Sequence, residues 1–412
     1  LDANTTANDN TAIGYDAMSS NTTGEKNVGI GTYAFDANTT GSFNVAVGRA
    51  ALSANTTADH NTAIGYQALD VNTTGTGNVA VGSAALDSNT VGDYNVAVGT
   101  NALNGNVDGS RSTAVGYAAL AAQDPASASN TNNTAVGFHA LNTNTTGTNN
   151  TAVGAECGES ISTGDANTCM GYTAGEDVST GSRNTLLGVG AGANATTCDD
   201  LVAVGYFAGG TAILTGHDNT CMGTNALTST TSGASNTAIG RDALTANTTA
   251  SNNTAVGYQA LTANTTGANN SAFGRTSLSS ATTGSSNTAI GKDALAAVTT
   301  SDNNTALGKS AGVGVTTGEQ NTLLGQVSAQ SLTTGSDNIA IGHDAADNLT
   351  TGSQNIAIGV DTSLSAASGA NQIVMGQNVT CTGDDNFTFG NGTTDSNIAF
   401  GATSITAPSD VR

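Results

Sequence analysis

Tryptophan is absent from this chain, proline occurs twice, and aromatic residues make up only 4%. Charged residues are 10%, against about 25% in ordinary globular domains. A core of aromatic and leucine clusters is therefore not expected. Disorder is not expected either, because disordered chains are rich in proline and charge, whereas Val and Ile recur here at fixed intervals. Only nine of the 412 residues are Lys or Arg, against 31 Asp plus Glu, for a formal net charge of −22. Such a field repels nucleic acid and anionic membranes, so neither is expected as a partner. No apolar run approaches the ~20 residues that cross a bilayer, so no membrane insertion is expected. The chain opens in mid-repeat at Leu1, and further residues are expected upstream.

The residues of most catalytic and metal chemistry are sparse. Five cysteines show no CxxC spacing and so no metal-binding pattern. Cys157, Cys169 and Cys221 stand where the pattern has Ala, and are expected to be buried small residues. His60, His139, His217 and His343 fall at four different repeat positions. No nucleophile elbow or phosphate loop accompanies the many Ser and Gly. Asp59, Asp93 and Asp302 lack the spacing of calcium-binding rolls. The reading is of a non-enzymatic protein with no catalytic residue, metal or cofactor.

What is present is a repeat. Asn10-Thr11-Ala12-Ile13-Gly14 returns at Asn27 to Gly31, at Asn44 to Gly48, and so on to Asn397 to Gly401. Numbering Asn as position 1 and Gly as position 5 gives 24 copies, and nineteen of the 23 intervals are seventeen residues long. Position 4 is always a large apolar residue, position 2 is Thr, Ser or apolar, and position 3 is mostly Ala. An Ala-Leu pair follows, as at Ala51-Leu52, and then a Thr-Thr-Gly phrase, as at Thr73 to Gly75. Seventeen residues are too few for a βα unit. They suit two short strands and two tight turns, with Gly14, Gly31, Gly48, Gly65 and the Gly of Thr-Thr-Gly in the turns. The fold class is therefore all-β, a parallel β-solenoid of about 24 short coils. Asn10, Asn27, Asn44, Asn61 and Asn78 are expected to stack as an amide ladder.

Residues 1–376 form the regular shaft, with a loop insertion at 121–132 that leaves the coils on either side in register. Residues 377–407 are shortened terminal coils, and 408–412 a junction to a following segment. Positions 2 and 4 lie on one face of an extended strand and position 3 on the other. The larger residues, Ile13, Val47, Ile64 and Val81 among them, are expected to fill the coil. The flat Ala face, with Ala63, Ala80 and Ala97, is then left for neighbouring copies in a parallel homotrimer. Position 6 collects six of eight Tyr and five of nine cations, and Tyr66, Arg241 and Arg275 are placed at such an inter-chain seam.

Asn-Thr-Ala-Ile-Gly followed by Ala-Leu resembles the repeats of trimeric autotransporter adhesin heads, which are left-handed parallel β-rolls with a shorter period. It is also similar to repeats of phage tail fibres. Ser409-Asp410-Val411-Arg412 resembles the opening of the self-cleaving intramolecular chaperone that follows many such fibres, which makes Ser409 the candidate junction. The resemblance implies an extracellular fibre segment of a virion, spacing or presenting a surface that attaches to a host glycan or protein. The alternative is a bacterial surface adhesin head. An ice-binding solenoid is disfavoured because adjacent Thr pairs point to opposite faces, and an embedded glycan depolymerase requires a carboxylate pair on neighbouring coils.

Overall fold

The structure, a computed structural model, describes residues 2–125 and 127–402. The chain divides into two compact units, Leu1–Thr215 and Gly216–Arg412. Each is all-β, and each is a parallel β-solenoid; between them they hold about 22 turns. Each regular turn contributes one three-residue strand at positions 2 to 4, paired in register with the strand of the next turn. Thr62, Ala63 and Ile64 thus face Val79, Ala80 and Val81, and Thr237, Ala238 and Ile239 face Thr254, Ala255 and Val256.

The expected second strand through Ala-Leu is not there. That segment is a run of turns, and Leu52, Leu69 and Leu86 take left-handed φ of 54 to 55°. Positions 7 and 17 do the same, as at Ala50 (56°) and His60 (62°). Left-handed backbone is unfavourable for side-chain-bearing residues, by about 1–2 kcal/mol each. Hydrogen bonds between turns hold it in place. The Leu52 amide donates to the Ala68 carbonyl (3.0 Å), and the Gln67 amide to the Arg49 carbonyl (3.0 Å). The turns therefore stack through backbone bonds along the corners as well as the sheet.

The two glycine columns have different causes. From Gly14 to Gly376, position 5 has φ between 131° and 145°, and a Cβ on Gly82 would sit 2.5 Å from the Gly99 carbonyl oxygen. Only glycine meets both conditions. At position 15, the Gly of Thr-Thr-Gly, no left-handed φ occurs, and Ala58, Cys198, Ala250 and Ser301 stand in the same place. The expectation of a strained turn there is corrected.

The strand faces are reversed from expectation. Ala63, Ala80 and Ala97 are fully buried inside the coil, whereas Ile13 is 59% and Ile64 40% exposed, and Val47 and Val81 are half-buried. Ala63, Ala80 and Ala97 therefore cannot meet a neighbouring chain. Apolarity alone misleads here, because both strand faces are apolar. The coil is narrow, and Leu52, Leu69 and Leu86 with two buried Asn columns already fill it, so position 3 of these turns has room only for a methyl group.

The Asn ladder at position 1 is present. The Asn27 Oδ1 accepts the Asn44 amide (2.8 Å), and the Asn44 Oδ1 accepts the Asn61 amide (2.8 Å). The Nδ2 groups also reach across the coil, Asn27 to the Gly41 carbonyl (2.8 Å). A second column, at position 12, was not expected. Asn38 donates to Asn21 (2.7 Å), Asn72 to Asn55 (3.0 Å) and Asn89 to Asn72 (2.8 Å), all side chain to side chain and fully buried. Asn21, Asn38, Asn55 and Asn72 are the Asn of Asn-Thr-Thr, whose formal glycosylation signal is thus enclosed in the core.

The insertion leaves the sheet unbroken. Thr113, Ala114 and Val115 pair directly with Thr134, Ala135 and Val136. Gln123 stands in for an Asn, donating to Asn106 Oδ1 (2.9 Å), while Ser127, Ala128 and Asn130 are exposed. At the far end the strands lengthen to Ile356–Val360, Ile373–Gln377 and Asn386–Gly390. The last repeat phrase is no coil. Ser396–Ala399 turns back and pairs antiparallel with Asn386–Gly390. Ser409 and the 408–412 junction lie outside the described residues.

Candidate functional surfaces

Among the described residues no pocket opens, so the candidate sites are surfaces. The first is the outer face of the sheet in each unit, made by positions 2 and 4. No charged residue occupies either position in any repeat. Exposure reaches 44% at Met170 and Leu187 and 48% at Leu307, which is unusual for large apolar side chains in ranks.

The second is the position-6 column. Tyr15 packs edge-on against Tyr33 (5.6 Å), the Arg49 guanidinium lies 5.5 Å from the Tyr66 ring and that of Arg241 6.0 Å from the Tyr258 ring. Tyr66, Arg241 and Arg275 are exposed on the chain. Beside the insertion, Tyr117 stacks on Phe138 (5.6 Å) and Phe138 on His139 (4.0 Å), and the His139 Nδ1 lies 3.1 Å from the Glu159 carboxylate.

The sequence hid a third cluster, because its members are separated by one repeat. His343 Nδ1 lies 3.3 Å from Asp344 and 3.8 Å from Asp361, and the three donor atoms lie within 4.8 Å of one another. When His343 is protonated they form an exposed ion pair. The Asp residues of position 16 fasten neighbouring turns together. Asp59 accepts the Ser42 amide (2.6 Å), Asp93 the Thr76 amide (2.7 Å) and Asp302 the Ser285 amide (2.6 Å), each one turn earlier.

All five cysteines are free and buried. A hydrogen bond between Cys157 and Cys169 holds the Cys157 thiol below its ordinary value and Cys169 above it. Burial pushes the Cys198 thiol up to about 12. Cys169 and Cys198 are thus held as thiols, and the thiolate is the reactive form. No helix among the described residues is long and apolar enough to cross a membrane. No protein-family model matches the chain, and no curated protein matches it. The repeating parallel β-solenoid is consistent with β-roll repeats.

Proposed function

We propose that this chain is a structural segment of an extracellular fibre, of the tail-fibre kind, which spaces or presents a host-attachment surface on a virion. The observation that carries the reading is the uncharged outer sheet face, repeated turn after turn in both units. A parallel sheet with an uncharged outer face that carries a large apolar residue in every turn is normally covered on both faces. A second and third copy of the chain, in parallel register, supply that cover along its length, and the face presented to them is positions 2 and 4. The resemblance to trimeric β-rolls supports three copies. Weak contacts to a host surface then act three at a time.

The test is the solution mass. Sedimentation equilibrium should give three times the 40.1 kDa chain, and Val81→Asp combined with Val98→Asp should release monomers while the circular dichroism of each chain persists. A folded monomer at micromolar concentration sinks the reading.

One observation favours a second reading. The Thr of position 2 lie on the outer sheet face, and Thr134, Thr151, Thr168 and Thr185 stand in consecutive in-register turns. A flat Thr column beside an aliphatic one suits an ordered solid such as ice. Inhibition of ice recrystallisation at micromolar chain, lost in Thr151→Lys, would establish it.

A further inference from the structure

In the second unit, position 6 of five consecutive turns holds Arg241, Tyr258, Arg275, Lys292 and Lys309, all exposed. Four of these five are cations, out of nine in the chain, and no acid occurs between residues 243 and 292. From 241 to 309 the charge is four cations minus three acids (Asp242, Asp293, Asp302), or +1; the remainder is five minus 28, or −23. The cations also stand in one line. The Gln259 amide donates to the Arg241 carbonyl, Thr276 to Tyr258, Asp293 to Arg275 and Ser310 to Lys292, at 2.8 to 3.0 Å. This fixes one residue per coil height, ~4.8 Å, over about 19 Å.

Stacking like charges one coil apart is unfavourable, and position 6 elsewhere in the chain is mostly neutral. The acids nearby cancel only part of the row. Asp302 is held at another corner by the Ser285 amide (2.6 Å). Asp242 and Asp293 sit 3.3 Å from Arg241 and Lys292. Among the described residues, no carboxylate lies within ion-pair distance of Arg275 or Lys309. A local departure from the pattern of the rest of the fold marks a functional site.

We infer that this row binds an extended acidic polysaccharide, its carboxylate or sulfate groups meeting Arg275, Lys292 and Lys309 and a sugar ring lying against Tyr258. The rest of the chain, at −23, disfavours the denser phosphate charge of nucleic acid. The row lies on a single chain, so the inference stands whether or not copies associate.

The test uses the full chain with three probes: hyaluronan, dextran sulfate and neutral dextran. At low salt the chain should bind one or both anionic polymers, should weaken steeply as salt is raised, and should ignore neutral dextran. Arg275→Gln/Lys292→Gln/Lys309→Gln should weaken binding at least tenfold, and Tyr258→Ala severalfold, while Lys26→Gln/Arg111→Gln leaves it unchanged. The polymer preferred tells carboxylate from sulfate. No binding by the parent chain, or equal binding by the triple variant with unchanged circular dichroism, overturns the inference. So does a triple variant that binds normally but sediments at a different mass, which would make the row a seam between copies.

Discussion

Two stretches of the first unit, the turns of Asn38 to Asn106 and those of Ile161 to Ala195, share one backbone and fill it in opposite ways. In the first, position 9 is a bulky residue such as Leu52 or Leu69, and position 12 is an Asn in a buried amide ladder. In the second, position 9 is Gly158, Gly175 or Gly192, and the volume returns at Ile161, Val178 and Leu186. The gaps are closed tightly: a Cβ on Gly175 would lie 2.7 Å from Leu186 Cδ1. Interior volume is conserved, as close packing requires, while its polarity is free to change. The first Asn column responds. Beside aliphatic neighbours its amides pair along the column, as Asn184 with Asn167 (3.0 Å) and Asn338 with Asn321 (3.0 Å). An unpaired amide proton in a core is costly, so the ladder closes on itself.

The sharpest way to break the comparison is to charge the amide spine. Asn72 donates to Asn55 and to the Gly75 carbonyl and accepts from Asn89. Asn72→Asp places an uncompensated charge there and should cost about 3–5 kcal/mol, seen as a lowered denaturant midpoint. Parent-like unfolding would show that the spine does not carry the fold.

Exchanging the two packings should have the next largest effect. Leu tolerates the φ of Gly158, which at 60° is close to that of Leu52; the obstacle is Ile161, whose Cδ1 lies 3.0 Å from a Cβ at 158. Gly158→Leu should lose about 1–3 kcal/mol by overpacking. Adding Ile161→Asn, which restores a donor toward Asn144, should recover most of it. A double variant no better than the single would refute volume compensation between positions 9 and 12.

A smaller effect is expected where an amide run ends. Asn264 Oδ1 is buried with no partner, and the next position-12 residue is Ala281. Ala281→Asn supplies the donor but moves the orphan acceptor one turn on, beside Val298. Stability should change by less than about 1 kcal/mol. A gain well above that would mean the orphan oxygen costs more than a ladder end should.

The least effect comes from Asp87. Burial pushes its carboxyl above the ordinary range. A raised carboxyl stabilises the fold only as it gains its proton, so that stability rises as pH falls from the raised value towards the ordinary Asp value, and is absent above. Asp87→Asn should slightly raise the melting temperature at neutral pH and flatten that rise on acidification. An identical pH profile in both proteins would show the carboxyl to be solvated.

The sequence by itself determined the period, the parallel in-register stacking, the position-1 Asn ladder and the unbroken sheet across the insertion. These follow from spacing, because identical residues seventeen apart must fall one above another once strands pair. It also placed Cys157, Cys169 and Cys221 in the interior, from the Ala they replace. Only the tertiary structure decided which strand face points inward, that Ala-Leu forms a left-handed corner instead of a strand, that Asn55 and Asn72 are core residues, and that the final phrase folds back. Polarity could not settle these points, since both strand faces are apolar and Asn is ordinarily a surface residue. The width of the closed coil settled them. Beside a corner Leu it leaves position 3 room only for a small residue such as Ala, and it shuts the Asn amides away from water where only one another and the inward carbonyls can satisfy them.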